Sequence, residues 1–111
     1  MSKLSENLRI LRMLRGKSIR QIAQLTDRSP STISNWERGK ISPDADAIEK
    51  LCEILSVSPN QLLGWEESKE IQSFLIKQEQ AYIELNHLQQ QKAEIENKIK
   101  KYTEMISRNL K

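Results

Sequence analysis

One stretch of sequence marks both ends of a short helix: Ser29-Pro30-Ser31-Thr32-Ile33-Ser34-Asn35-Trp36-Glu37-Arg38-Gly39-Lys40. Ser29 suits the N-cap because its hydroxyl can accept a backbone N–H from the first turn, and Pro30 suits the first helical position, where no N–H bond is lost. Gly39 suits the residue just after a helix. The sequence therefore predicts a helix from Pro30 to Arg38.

A second short helix is predicted just before this one. Ser18 and Gln21 have the spacing of a capping box, which begins a helix from Ile19 to about Leu25. Residues 26–28 then read as a tight turn, and Ala23 supplies the small residue needed where two helices cross. Two short helices joined by a three-residue turn form a helix-turn-helix pattern.

The two sides of the later helix differ in chemistry. Ile33 and Trp36 are three residues apart and share one face, so they anchor the helix to a core. Asparagine can form a bidentate pair with adenine, serine hydroxyls can bond several base edges, and proline can contact only apolar groups such as a thymine methyl. The opposite face is predicted to contact DNA bases through Pro30, Ser31, Ser34 and Asn35.

A family resemblance extends over residues 8–65. The residues that carry it are Leu11-Arg12, Gly16, Ser18, Ile22-Ala23, the block 29–40, Pro43 and Leu62-Leu63-Gly64. In these residues the chain resembles the lambda-repressor-like, or Xre-type, helix-turn-helix family. The resemblance implies an all-α fold, with a five-helix DNA-binding domain whose third helix lies in the major groove of double-stranded DNA.

The resemblance also implies a structural ion pair between Arg12 and Glu37, holding the first helix against the third. The competing interpretation makes Arg12 a free phosphate contact. The ion pair is favoured because Glu37 is the only acidic residue in the block 29–40.

The sequence departs from the family pattern at three positions. Ile19 stands where a glutamine usually touches phosphate, so only its backbone N–H at a helix N-terminus can do so. Asp27 replaces a glycine in the turn, and Arg28 replaces an apolar residue, so Arg28 is expected to leave the core and reach DNA. The predicted phosphate contacts are Ser18, Ile19, Arg20, Arg28, Thr32, Arg38 and Lys40.

The basic charge is concentrated at the start of the chain. Residues 1–43 carry nine Lys/Arg and three Asp/Glu, whereas residues 65–111 carry eight of each. A local basic surface is typical of proteins that bind the phosphate backbone, although a solvated basic face has the same composition.

Other residue types offer no candidate for catalysis, a metal or a cofactor. Cys52 lies in an apolar-periodic stretch that favours burial, and His87 falls at a surface position of a long helix. No signal peptide and no apolar run of about 20 residues is visible. The sequence therefore predicts a cytoplasmic protein that is not an enzyme.

Three further helices complete the predicted first domain, residues 1–65. The first helix is expected from Ser5 to Arg15, and the fourth from a cap at Asp44 or Asp46 to about Leu55. Ser58-Pro59 opens a short fifth helix before Gly64. The second domain, residues 66–111, is read as one helix from about Glu66 to Leu110, because no Gly or Pro interrupts it.

A heptad pattern runs along this last helix, with apolar residues at nine of twelve a and d positions. The pattern runs over six heptads, more than the three to four that are needed to predict a coiled coil. The a and d positions form the seam along which a partner helix would pack, and Lys92 and Asn109 also fall on it. The predicted oligomerisation residues are Ile71, Phe74, Gln78, Ala81, Leu85, Leu88, Ile95, Ile99, Tyr102 and Ile106.

The partner of this seam is less determined. Leu75, Tyr82, Leu110 and Met105 flank the seam and widen it, so a trimer, a four-helix arrangement or packing on the first domain would also use the surplus. The polar stretch 86–94 also allows a fold-back hairpin. The charges that flank the seam do not choose between parallel and antiparallel pairing, and a parallel homodimer is the preferred expectation.

The expected function is that of a sequence-specific transcriptional regulator, a repressor that binds an inverted-repeat operator as a dimer. The alternative is a protein-interaction adaptor or antitoxin-like co-regulator, whose coiled coil captures a partner protein. The wide apolar stripe is the feature that favours the alternative.

Overall fold

The computed structural model describes residues 3–110, which form helices and connecting turns with no strand among them. Residues 1, 2 and 111, at the outer ends of the two predicted domains, lie outside the described residues. The helices are α1 (Lys3–Leu14), α2 (Ile19–Thr26), α3 (Pro30–Glu37), α4 (Ala45–Leu55), α5 (Pro59–Leu63) and α6 (Lys69–Asn109). The predicted all-α class, with five helices followed by one long helix, is confirmed.

Helix ends differ from the predictions by a few residues. α3 ends at Glu37, and Arg38 is its C-cap rather than its last helical residue. α6 begins at Lys69 instead of about Glu66, because the buried Ser68 hydroxyl accepts the N–H of Ile71 at 3.4 Å and so caps the helix there.

The predicted caps hold the short helices at fixed starting points. The Ser18 hydroxyl accepts the N–H of Gln21 at 3.0 Å, and the Gln21 side chain accepts the N–H of Ser18 at 2.8 Å. Asp44, rather than Asp46, caps α4. Each such cap contributes roughly 1 kcal/mol, which matters for helices too short to be stable alone.

The turn between α2 and α3 depends on Asp27, which adopts the left-handed conformation with φ 56°. The following N–H, that of Arg28, donates to the Ala23 carbonyl at 2.9 Å and closes the end of α2. Asp27 therefore takes the place of the glycine that the resemblance leads one to expect in this turn, in keeping with the tolerance of Asp for that conformation.

The five short helices enclose one core. α2 packs against α3 and α4, α1 against α3 and α5, and α4 against α5. Ile33 of α3 is fully buried and Trp36 is 2% exposed. The rest of this core comprises Leu8, Ile10, Leu11, Ile22, Ala23, Ala47, Leu51, Cys52, Leu55, Leu62 and Ile71.

The chain divides into two compact units, Met1–Phe74 and Leu75–Lys111. The division lies inside α6, nine residues beyond the predicted boundary, because the first turns of α6 belong to the first unit. Ile71 is only 7% exposed within its core, and Phe74 packs against that core. Both were predicted as seam residues, and this part of the prediction is corrected: their apolar surface is used within their own chain.

The second unit consists of the remainder of α6. Its apolar side chains are exposed, and the predicted seam residues from Leu85 to Ile106 are each at least half exposed where they are large and apolar. Over residues 3–110, no helix is both long enough and apolar enough to span a membrane.

The role of Ile71 in the first unit is testable by truncation. Ile71→Ala should lower the free energy of unfolding of the first unit by about 2–4 kcal/mol, because it removes a buried side chain and leaves a cavity. The measurement is urea denaturation followed by fluorescence of the buried Trp36. Ile76→Ala is the matched control, since Ile76 is 55% exposed and should change that free energy by less than about 0.5 kcal/mol. Equal effects of both variants would contradict the assignment of Ile71 to the core.

Candidate nucleic-acid interface

α3 has a buried side and a solvent-facing side. Ile33 and Trp36 are buried in the core. Of the four predicted base contacts, Pro30 and Ser31 are exposed, and Ser34 and Asn35 are half-buried. The structure therefore brings all four onto the part of α3 that the core leaves accessible.

An ion pair fixes the end of α3 to α1. The Nε of Arg12 donates to Oε2 of Glu37 at 2.6 Å, and Nη2 donates to Oε1 at 3.0 Å. The two side chains are only 15% and 6% exposed. Nη1 of Arg12 also donates to the carbonyl of Lys17 at 2.9 Å, so the guanidinium also ties down the loop before α2. The implied Arg12–Glu37 pair is present, and it leaves Arg12 without the free guanidinium that a phosphate contact needs.

Asn35 and Arg38 lie together at the exposed end of α3. Nη2 of Arg38 is 3.5 Å from Oδ1 of Asn35, a long contact between two solvated groups. The backbone carbonyl of Asn35 accepts the N–H of Lys40 at 2.9 Å, in a turn where Gly39 has φ 72°. The weak side-chain contact leaves the Asn35 amide able to turn toward a base edge.

Hydroxyl groups cluster at the N-terminus of α3. The Ser29 hydroxyl lies 2.8 Å from that of Thr32 and 3.1 Å from that of Ser31, and it accepts the Thr32 N–H at 3.2 Å. A helix N-terminus attracts anions through its unpaired N–H groups and its dipole. This end of α3 therefore combines hydroxyl donors with a field that favours a phosphate.

Arg28 is held by an ion pair at the surface. Its Nη2 donates to both carboxylate oxygens of Asp44, at 2.9 and 3.2 Å, and its guanidinium lies 5.7 Å from the centre of the Trp36 ring. Arg28 has left the core as expected, and in this arrangement it holds the turn against α4. Its contact with DNA stays a prediction.

The other predicted phosphate contacts remain accessible. Ser18, Arg20 and Lys40 are exposed, whereas the side chain of Ile19 packs against the core and leaves its N–H at the first position of α2. Within the described part of the chain, no carboxylate lies within salt-bridge distance of Arg20, Arg38 or Lys40.

Comparison with known proteins decides the family. Residues 3–63, more than half of the chain, match the family model described as a helix-turn-helix domain. The chain belongs to this family. Its lambda-repressor-like character, expected from the block 29–40, is confirmed by the solved structures it resembles, and the chain is a DNA-binding transcription regulator.

Three solved structures illustrate the likeness of this helix-turn-helix protein. The DNA-binding domain of the P22 c2 repressor is 27% identical, with a TM-score of 0.52 over 54% of this chain and 79% of that chain. The restriction-modification controller protein C.AhdI from Aeromonas hydrophila is 31% identical, with a TM-score of 0.51 over 55% and 92%. A transcriptional regulator from Listeria innocua shares the fold at 22% identity, with a TM-score of 0.56 over 77% and 89%. No curated protein sequence matched the chain.

Two polar residues that brace the helix-turn-helix unit were missed by sequence reasoning. The buried Asn7 donates from Nδ2 to the carbonyls of Gln61 and Leu62, at 3.3 and 3.2 Å. Arg15 donates to the Leu55 carbonyl at 2.8 Å and, through its two Nη atoms, to Glu70 at 2.7 and 3.1 Å. The hydrogen bonds from Arg15 lower the pKa of Glu70. The only signal in the sequence was Asn7, a polar residue on the apolar stripe of α1, and it did not indicate which groups the side chain would bind.

No feature of the described residues suggests reaction chemistry. Cys52 is buried, and burial raises the pKa of its thiol, which disfavours the reactive thiolate. Over residues 3–110 there is no group of three or more His, Cys, Asp or Glu side chains that could hold a metal ion. The structural neighbours are DNA-binding regulators rather than enzymes.

The buried ion pair predicts a contrast between two charge-neutralising substitutions. Glu37→Gln should lower the free energy of unfolding by roughly 2–4 kcal/mol, because Arg12 then keeps its charge in a largely buried site without a carboxylate. Asp44→Asn is the matched control: it keeps a capping oxygen, and the Arg28 pair that it breaks is exposed and screened by solvent, so it should lower the free energy of unfolding by less than Glu37→Gln does. Thermal or urea denaturation measures both. A larger loss for Asp44→Asn than for Glu37→Gln would contradict the structural role of the buried pair.

The carboxylate of Asp44 should titrate below its ordinary range. The hydrogen bond from the Ala47 N–H lowers its pKa most, followed by the hydrogen bond from Arg28. Because the folded-state pKa lies below the unfolded one, the associated stability is present above the unfolded pKa and is lost as pH falls through the folded pKa. An NMR titration should show the lowered midpoint, and Arg28→Ala should raise it only part of the way. A full return to the ordinary pKa in that variant would show that the cap bond is not formed.

Proposed function

We propose that this protein is a repressor that binds an inverted-repeat operator as a homodimer and acts by binding rather than by catalysis. The observation that carries the proposal is the fixed placement of α3. Ile33 and Trp36 bury one side of this eight-residue helix, and Glu37 ties its end to Arg12, while its polar side remains accessible. A short, rigid, polar helix face is what entry into the major groove requires.

Base reading is assigned to the accessible face of α3. Asn35 can present its amide to the N6 and N7 edge of an adenine, and Ser31 and Ser34 can donate to or accept from several base edges. Pro30 presents only apolar surface, which suits a thymine methyl group. These residues span two turns at the N-terminal and central part of the helix, where helix-turn-helix proteins commonly contact bases.

Backbone contacts are assigned to groups around that face. Arg38 and Lys40 follow α3 directly, Thr32 lies at its N-terminus, and the Ile19 N–H lies at the N-terminus of α2. Ser18 and Arg20 lie on either side of Ile19 in the sequence. Such contacts orient the domain and make affinity depend on salt, but they carry little sequence information.

Dimerisation is part of the proposal because one recognition helix covers only a few base pairs. Proteins of this type gain affinity when two copies bind two half-sites related by two-fold symmetry. The exposed apolar residues of α6 beyond Phe74 supply surface for joining two copies. Repression would follow from occupation of a promoter by the bound dimer.

A solved relative supports this function by analogy. The P22 c2 repressor, 27% identical over 54% of this chain and 91% of that chain with a TM-score of 0.52, has been crystallised with synthetic operator 9T. The operator and the two-fold arrangement for the present chain are inferred from its own residues and from that likeness.

Two substitutions separate base reading from backbone binding. Asn35→Ala should weaken binding to the cognate site by about 1–3 kcal/mol and leave binding to random DNA nearly unchanged. Arg38→Ala should weaken both similarly and reduce the salt slope by about 1, because one phosphate contact is lost. Lys50→Ala, a loss of equal charge on α4, is the control and should have the smallest effect. Fluorescence-anisotropy titrations at several salt concentrations provide these values.

Random-sequence selection with the purified full-length protein tests the function itself. We expect a recovered consensus made of two inverted half-sites. Recovery of a single unpaired half-site would contradict dimeric binding, and recovery of no consensus at low salt would contradict sequence-specific DNA recognition.

The exposed apolar surface of α6 favours a second candidate function, that of an adaptor or antitoxin-like co-regulator. Leu75, Tyr82, Met105 and Leu110 widen the surface beyond what a two-stranded coil needs, and all four are exposed. Mass measurement of the purified chain separates the candidates. A closed homodimer supports the operator-binding repressor, whereas a monomer or aggregate that needs a co-expressed partner supports the adaptor.

A further inference from the structure

We propose that the exposed face of α6 docks a second copy of this chain in the antiparallel direction, centred between Ala93 and Glu94. The inference rests on the proposed homodimer and adds its orientation, and it reverses the preference for parallel pairing. The surface concerned is the apolar seam from Leu75 to Leu110, which we call the α6 seam.

The α6 seam lacks a partner within the described chain. Ile95, Ile99 and Ile106 are 58%, 59% and 61% exposed, although they recur at the spacing of a continuous stripe. Because Ile71 and Phe74 contact the core of their own chain, the surface left for a partner begins near Leu75. Such a long apolar stripe on an otherwise polar helix is expected to be covered by a matching helix.

The segments that face each other about this centre carry opposite net charge. Residues 77–90 contain Lys77 against two glutamates, whereas residues 97–110 contain four Lys/Arg against Glu104 alone. Antiparallel pairing places these two segments beside each other. Parallel pairing places the basic segment of one copy beside the basic segment of the other.

The individual seam layers also match in the antiparallel direction. About the proposed centre, the polar Gln78 lies opposite Asn109 of the other copy, and the small Ala81 lies opposite the large Ile106. The remaining layers pair Leu85 with Tyr102, Leu88 with Ile99, and Lys92 with Ile95. The polar layer at Gln78 thus meets a polar layer, and the small Ala81 meets a large residue, as a filled seam requires; Lys92 is the one polar seam residue that faces an apolar one.

In a parallel pair, each seam residue would face the same residue of the other copy. Two Lys92 ammonium groups would then face each other in one layer, and two Ala81 side chains would leave a layer underfilled. In the antiparallel arrangement Lys92 faces an apolar residue instead. Its ammonium lies 3.9 Å from Glu96 of its own chain, so it can extend out of the seam toward that carboxylate.

The same direction explains the extra apolar residues at the two ends of the α6 seam. Leu75 and Leu110 both occupy heptad position e, which flanks the seam, and antiparallel pairing brings Leu75 of one copy near Leu110 of the other. Tyr82 lies near Thr103 in the same row. In a parallel pair Leu75 would instead face the acidic Glu70 of the partner copy.

Cysteine cross-linking of the full-length protein tests the orientation. Gln78→Cys and Asn109→Cys are made separately in a Cys52→Ala background, with one variant carrying a mass tag, and are equilibrated alone and mixed in a glutathione redox buffer. Gln90→Cys, at an outer position of α6, is the control for collisional cross-linking. We expect a disulfide between Gln78→Cys and Asn109→Cys in the mixture, and none above the control for either variant alone.

The alternative outcomes are distinct. A disulfide within Gln78→Cys alone and within Asn109→Cys alone would establish parallel pairing and overturn the inference while leaving the dimeric repressor intact. A native mass of a trimer or larger species would overturn the two-stranded arrangement. A monomeric mass, together with selection of a single half-site, would overturn the homodimer on which the inference rests.

Discussion

Burial of Ile33 and Trp36 is the constraint on which the rest of this structure depends. α3 has eight residues and is too short to persist as an isolated helix, so its shape and position come from its contacts. The two side chains fix which face points outward, and the pair between Arg12 and Glu37 holds its end to α1. A rotation of one residue about the helix axis would move a polar residue into the core, so the outward face is determined by the cost of burying it.

The polar groups around α3 divide into those that hold it and those that remain exposed. Arg12 and Arg28 both belong to the first group, since one binds Glu37 and the other binds Asp44 beside the Trp36 ring. Arg38 remains exposed at the end of α3. Part of the basic charge near α3 therefore serves to hold the helix in place, and only the remainder is free for a contact outside the chain.

Much of this arrangement could be predicted from the sequence, because its determinants are local. Caps, prolines and glycines marked the short helices to within a few residues, and the spacing of Ile33 and Trp36 indicated the buried side of α3. The interactions that could not be predicted are those between residues far apart in the sequence. The Arg28–Asp44 pair joins residues 16 apart, and Asn7 binds carbonyls more than 50 residues away. Ile71 fits a heptad equally well whether it meets a second chain or its own core, so periodicity alone assigned it to the wrong surface.

We propose that α3 presents Ser31, Ser34 and Asn35 to base pairs while its other side stays fixed in the core. An NMR titration of the isotopically labelled protein with its selected operator duplex tests this placement. We expect the amides of these three residues and the side-chain amide of Asn35 to shift most, while Ile33, Trp36 and the Arg12 guanidinium keep their free-state environments. Large shifts at Ile33 and Trp36 with little change at Asn35 would contradict it.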